Sequence, residues 1–265
     1  MQNKDNLIAL YKDNEFKAAF IANYLECGER EHVAEKEYSN AFAWLAEDTG
    51  NDIHPPISAA TVDEIKRTFL AVSTYGLSFD KKSKEVYLMG EWRDNNRICV
   101  GSILGYRGMQ RIIVNTKGVK ASNTEIVYEN DAFTWLGADQ RPNYASDGKS
   151  QGSALICGFT TITFDDGTVL CHKTSAAELE AIERQSIEQT MHFEGTADAS
   201  LYNTAWRERC LRICTLRAAF REYRHLFVSN KDVFVEQPQT QSSNNLGAFE
   251  KLLNEEANTQ HVSNL

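Results

Sequence analysis

Long apolar runs are missing from this chain; none of its stretches approaches the roughly 20 residues that a membrane-spanning helix needs. The opening Met1-Gln2-Asn3-Lys4-Asp5 is polar and has no signal-peptide character, so a cytoplasmic protein with no membrane partner is expected. A surplus of positive charge is missing too: 28 Lys and Arg stand against 37 Asp and Glu, a net of -9. Motifs for catalysis are scarce. Gly101, Gly105 and Gly108 lack both the Gly-Lys-Ser/Thr ending of a phosphate-binding loop and the spacing of a dinucleotide fingerprint. Cys171 and His172 are neighbours on a strand pattern, which turns them to opposite faces and excludes a nucleophile–base pair. Cys210 and Cys214 share a helix face but have no His or Cys partner at zinc spacing. The six cysteines sit mostly within apolar patterns and read as reduced, buried thiols.

What is there is an ordinary globular composition, 42% hydrophobic and 25% charged, in a chain of 265 residues that can bury a real core. The charge is unevenly spread. Residues 1–64 carry a net of -8 and residues 65–174 a net of +3, so a basic surface on the middle of the chain is compatible with an acidic total.

Helical spacing runs through residues 7–47, in Leu7, Leu10 and Tyr11, then Phe16, Phe20 and Tyr24, then Phe42, Trp44 and Leu45. Gly50–Pro56 breaks the pattern, and Thr61 with Glu64 forms a capping box for a helix that stops near Gly76. Val86–Met89 and Ile98–Val100 read as a hairpin turned at Asp94-Asn95-Asn96, followed by a short helix from Tyr106 and a strand from Val119 to Tyr128. Residues 137–152 read as a loop, and Leu155–Phe164 with Thr168–Lys173 as a second hairpin across Asp165-Asp166-Gly167. A capped helix over Ser175–Ile187, a polar connection over 188–203 and a long helix from about Thr204 to His225 complete the folded part. Val235–Gly247 reads as a linker, with one amphipathic candidate, Phe249–Leu253, beyond it.

Cations recur at helical spacing. Arg107 and Arg111 lie four residues apart beside Gly105 and Gly108, a pairing suited to a phosphate chain. The long helix carries Arg207, Arg209, Arg212, Arg217, Arg221 and Arg224 against only Glu208 and Glu222. Such a row can clamp successive phosphates with bidentate geometry. Equally, it can be a solvated face paired with the acidic N-terminal region. Tyr106 and Trp206 start elements beside arginines and are the best stacking candidates among aromatics that otherwise read as core. Loop carboxylates (Glu125, Asp131, Asp139, Asp165, Asp166) leave a metal-dependent nuclease as a rival, although Asp165-Asp166-Gly167 is better explained as a turn.

Five blocks, taken in order, resemble the RecT family of phage recombinases: Tyr75–Phe79, Glu85–Leu88, Leu104–Met109, Val127–Phe133 with the Asp166-Gly167 hairpin, and the helix Arg212–Tyr223. Gly105-Tyr106-Arg107-Gly108-Met109 is the most specific of them. The resemblance covers roughly residues 65–228. It implies a single-strand annealing protein with a β-β-β-α core like that of the lambda Red beta protein, which assembles into rings or helical filaments. It also implies work beside a 5′-to-3′ exonuclease, no use of ATP, and a phage or prophage origin within a bacterial host. Aligned on Phe220, Arg212 falls at a family lysine, Arg217 at its arginine and Arg221 at a later lysine. Cys214 and Ile213 depart from the family's threonine and second lysine, and Trp206 needs a small insertion to reach the family's tryptophan.

The expected architecture is α+β: a small antiparallel sheet with a long arginine-rich helix, preceded by N-terminal helices. Residues 1–56 form an acidic helical region for oligomer contacts, 57–228 the single-strand-binding annealing core, and 229–265 a linker and tail. Arg107, Arg111, Lys117, Lys120, Lys173, Arg207, Arg212, Arg217 and Arg221 are expected to hold phosphates, with Tyr106 and Trp206 stacking on bases. One extended strand lies in a basic groove, bases outward, where a second strand tests complementarity. No catalytic residue and no required cofactor are expected, with Mg2+ admissible. The expected partners are single-stranded DNA, the annealed duplex, further copies of the chain, an exonuclease and a single-strand-binding protein. A passive single-strand protector and a structural oligomer unconnected to DNA are the other rivals.

Overall fold

The computed structural model describes residues 2–51, 54–93, 97–148, 153–228 and 234, and shows a mixed α+β chain with eight α-helices and small antiparallel sheets among them. The helices are α1 (Gln2–Tyr11), α2 (Asn14–Glu26), α3 (Glu31–Glu47), α4 (Val62–Ser73), α5 (Tyr106–Asn115), α6 (Ala176–Glu194), α7 (Arg207–Glu222) and α8 (Arg224–Phe227). The strands are β1 (Val86–Arg93), β2 (Arg97–Leu104), β3 (Val119–Tyr128), β4 (Ala132–Thr134), β5 (Asn143–Ala145), β6 (Leu155–Phe164) and β7 (Val169–Ser175). They fall into two compact units, one built on Met1–Lys117 and joined by the segment from His225, the other on Gly118–Arg224. The boundary after Lys117 lies inside the stretch 57–228 that the sequence presents as one core. Outside the described residues lie 52 and 53 of the Gly50–Pro56 break, the Asp94–Asn96 turn, part of 137–152, and the linker and tail from Val235, with Phe249–Leu253.

In the first unit α1 to α4 surround an aromatic core. Phe20, Tyr24, Tyr38, Phe69 and Phe79 are all essentially buried, and Phe79 packs 5.6 Å from Phe20 and 5.3 Å from Phe69 between ring centroids. Each such ring contributes about 1.5–3 kcal/mol relative to exposure. Helix starts follow their caps. Asp13 accepts from the backbone of Glu15 and Phe16, and Thr61 Oγ1 accepts from Glu64 N at 3.3 Å. The second half of the expected capping box does not form, because the buried Glu64 carboxylate turns to Arg67 and Arg97. Tyr75–Phe79 is docked by its backbone: Tyr24 Oη donates to Leu77 O, Trp44 Nε1 to Phe79 O at 2.7 Å, and Phe79 N to Glu37 at 2.7 Å. β1 and β2 form a regular antiparallel hairpin against α4, where Thr68 Oγ1 donates to Val100 O.

The second unit is a three-stranded antiparallel sheet in the order β3-β6-β7, with β4 and β5 as a separate short pair. α6 and α7 cover one face. Gly158 lets α7 approach closely, since a Cβ there would run into Thr215. Ile126, Tyr128, Leu155, Leu179, Tyr202 and Leu211 fill this layer. On the opposite face Val127, Cys157 and Phe159 are covered by Phe133, Trp135 and Tyr144. Two expectations change here. The segment 137–152 is not loop throughout, because Asn143–Ala145 pairs with β4. The connection 188–203 is helical as far as Glu194, followed by two short 3-10 turns at Ala197–Ala199 and Leu201–Asn203. Polar outward residues hid that extension, while Ser186 and Thr190 point into the unit. Ser175 caps α6 by accepting from Glu178 N, and Gly167 makes the hairpin turn with φ 86°.

Candidate nucleic-acid interface

Tyr106, Arg107, Arg111 and Lys117 belong to the first unit. Lys120, Lys173, Trp206, Arg207, Arg212, Arg217 and Arg221 belong to the second. α5 opens at Gly105 with an apolar inner face of Ile112 and Ile113. Arg107 Nε donates to Tyr106 Oη at 3.2 Å, and its guanidinium lies 5.9 Å from that ring's centroid. The cation and the aromatic at the start of α5 therefore form one composite surface. At the two glycines the close approach is made by the chain's own backbone. A Cβ on Gly105 would meet the carbonyl of Lys84, and one on Gly108 that of Glu85, while Gly105 N donates to Glu85 O at 2.9 Å. They let the chain before β1 lie against α5, a close approach that sequence alone assigns equally well to a ligand.

Arg111 is the most committed of these cations. Its guanidinium donates to Glu85 at 3.1 Å and ion-pairs with Glu29 in the turn between α2 and α3. Burial works against its charge, but Glu85 and Glu29 outweigh burial and hold its pKa above the ordinary arginine value. The acidic N-terminal region thus pairs with α5. Lys66 with Asp13 at 2.6 Å and Lys81 with Glu47 at 2.8 Å repeat the pattern within the same unit.

In the second unit the arginines of α7 differ from one another. Arg207 makes a bidentate pair with Glu183 of α6, at 2.6 and 2.8 Å, and these hydrogen bonds raise its pKa. Arg212 reaches over the β3 edge to Glu125 at 3.1 Å and its own Glu208 at 3.0 Å, and donates to Thr124 O. Arg217 is half-buried and close enough to Tyr202 and Cys214 to act on both electrostatically. Burial pushes both of those groups up, so the Cys214 thiol, hydrogen-bonded to Tyr202 Oη at 3.2 Å, stays protonated. Arg221 is exposed in the last turn, where the helix dipole favours a cation. Trp206 precedes α7, with the Arg209 guanidinium 5.0 Å from its ring and its inner side packed on the core.

Lys120 is exposed at a register shift of β3. Lys173 is the register partner of Phe159, on the sheet face away from α7, with Nζ 5.3 Å from the Trp135 ring. α7 and Lys173 therefore address opposite sheet faces. Cys171 and His172 part as strand alternation requires: Cys171 Sγ meets Thr161, and His172 packs edge-on to Tyr223 of the helix layer. Asp166 Oδ1 accepts from Thr168 N at 2.8 Å, so its carboxylate shapes the turn.

One feature escaped the sequence reading. Asn123, Glu125, Arg141, Tyr144, Phe159 and Thr161 line a pocket of about 310 Å³ on the sheet face opposite α7. The cation and aromatic of Arg141-Pro142-Asn143-Tyr144, within a Gly- and Ser-rich stretch, were its one visible sign.

No helix among the described residues is long and apolar enough to cross a membrane. No curated protein matches the chain. The RecT family model matches residues 42–237. That span takes in all five sequence blocks, α7 and the pocket, and with it the protein belongs to the RecT family, whose members bind single-stranded DNA, oligomerise and anneal complementary strands in recombination.

Proposed function

We propose that this protein anneals complementary DNA strands without ATP, by holding one extended strand through its phosphates and leaving the base edges open to a second. The family match over residues 42–237 carries this reading. The physical support is the arrangement of cations. Arg212, Arg217 and Arg221 follow one another along α7, Arg207 precedes them, and Lys120 stands exposed on β3. Within the first unit Arg107, Arg111 and the exposed Lys117 offer phosphate contacts of their own, and in their separate units Tyr106 and Trp206 offer stacking surfaces held by a neighbouring arginine. Lys173 meets nucleic acid from the other sheet face. Arg111, Arg207 and Arg212 keep their carboxylates and reach phosphate with their remaining N–H groups, since a guanidinium carries five donors. Pairing between the strands supplies discrimination, and the protein lowers the repulsion between two backbones. Assembly into rings or filaments, with an exonuclease and a single-strand-binding protein as partners and no metal required, belongs to the same reading. So do cytoplasmic action in a bacterial host and oligomer contacts by residues 1–56.

The test is annealing of two complementary fluorescent oligonucleotides without ATP, comparing the parent with Arg221→Ala. Arg221 is the exposed member of the row, so its loss leaves the core intact. The parent should anneal faster than the spontaneous reaction, and the variant should be several-fold slower. Binding that retards annealing would make the protein a protector, and shortened strands would make it a nuclease.

A further inference from the structure

The pocket on the sheet face opposite α7 has three properties that bear on what it can receive. Phe159 and Tyr144, 5.4 Å apart and edge to face, give it an aromatic floor. Its polar wall is preorganised: Asn123 Nδ2 donates to Glu125 Oε1 at 3.0 Å, while Arg212 holds Glu125 Oε2 at 3.1 Å. Asn123 Oδ1 and the remaining lone pairs of Glu125 therefore present acceptors in a fixed orientation. Its rim is cationic. Arg141 lines it, exposed and tethered to Thr163 Oγ1 at 3.0 Å. At about 310 Å³ the pocket is in the size range of small-ligand sites and well short of a duplex groove.

We infer that this pocket receives a single unstacked nucleobase bearing an exocyclic amine, its ring against Phe159 and Tyr144 and its flanking phosphate toward Arg141. This rests on the single-strand reading above and deepens it: the one base in the pocket is withdrawn from pairing, while the other base edges stay open to the second strand. A wall of acceptors selects for amine donors: the N4 amine of cytosine can donate to Asn123 Oδ1 and Glu125, as a carboxylate accepts from that amine elsewhere. Thymine sets a carbonyl at the same place against the acceptors and is rejected by unpaired like poles. Because Glu125 reaches across the β3 edge to Arg212, the base in the pocket and the arginine row share one carboxylate. The protein thus gains a base preference that phosphate contacts alone cannot supply.

The experiment titrates labelled (dC)20 and (dT)20 with the full chain, the Ala121→Trp variant and the Asn123→Leu variant. Ala121 is an exposed residue lining the pocket, so a tryptophan there fills the pocket without uncovering core. The parent should bind (dC)20 about fivefold or more tighter than (dT)20, the lower end of what one base-edge pair contributes. Both variants should bring that ratio close to one while leaving (dT)20 affinity within about twofold, since the stacking and phosphate contacts outside the pocket persist. A parent ratio near one overturns the pocket, as does a preference for cytosine that survives in both variants. Should Ala121→Trp fail to fold by circular dichroism, Asn123→Leu decides alone. Absence of binding to either oligonucleotide overturns the single-strand reading itself, and the pocket with it.

Discussion

Glu37 is a buried carboxylate, 7% exposed, that accepts from Ser78 Oγ at 2.8 Å, Phe79 N at 2.7 Å and Asn40 Nδ2 at 3.2 Å. It accounts for the Tyr75–Phe79 block as a structural clasp: α3 holds the chain on its way to β1, beside the Arg111 guanidinium that Glu85 and Glu29 share. Replacing Glu37 by Leu orphans a buried backbone N–H and a buried hydroxyl. The expected cost is about 2–3 kcal/mol, read from the midpoint of denaturant unfolding, while Glu37→Gln should recover part of it. A change in midpoint below about 0.5 kcal/mol would mean that water satisfies those donors instead. At this scale the sequence was legible where a side chain acts on its neighbours, as with Asp13, Thr61 and Ser175 at helix starts. It was not legible where the partner is distant. Arg111 with Glu29 and Arg212 with Glu125 join residues that no local pattern connects.

Among elements, α7 shows how one small residue sets a layer. Gly158 in the centre of β6 faces Thr215, whose Oγ1 back-bonds to Leu211 O at 2.9 Å, and α7 lies close to the sheet because no Cβ intervenes. Gly158→Ala should therefore destabilise by about 1–3 kcal/mol through overpacking. The double variant Gly158→Ala, Thr215→Ala removes the obstructing hydroxyl and methyl, so it should be less destabilised than the sum of the single changes. Calorimetric unfolding of the four proteins measures this coupling, and strict additivity would show that the two residues do not share the contact. Strand and helix types were readable from period, and β3 runs over the very residues read as a strand, Val119 to Tyr128. The β5 strand was not, since three residues carry no period and exist only by pairing with β4. The last turns of α6 were hidden in the same way, because the residue they bury is the polar Thr190, whereas Leu179 and Ile187 mark the inward side earlier in the helix.

At the scale of the whole molecule, an acidic protein with a net charge of -9 is expected to bind a polyanion, which only an uneven field permits. Several acidic groups of the first 64 residues are neutralised locally, Asp13 by Lys66, Glu29 by Arg111 and Glu47 by Lys81. The binding constant for single-stranded DNA should fall linearly with salt on logarithmic axes, and Arg221→Ala should make that slope shallower by about 0.7, one phosphate contact. An unchanged slope would remove Arg221 from the phosphate-binding row, and a parent slope of zero would leave the arginines a purely structural role.

By itself the sequence determined the class of the fold, the order of its main elements, the arginine-rich helix and the family, because hydrophobic period, capping residues and the five blocks are local along the chain. Only the tertiary structure decided which cations are held by carboxylates, that Lys173 and α7 take opposite sheet faces, and that Gly105 and Gly108 seat the chain's own backbone. The pocket belongs to that second group, since Asn123, Arg141 and Phe159 meet only when strand register and a returning loop bring them together. Long-range pairing costs loop entropy and is selected by the packed state as a whole, so no window of sequence contains it.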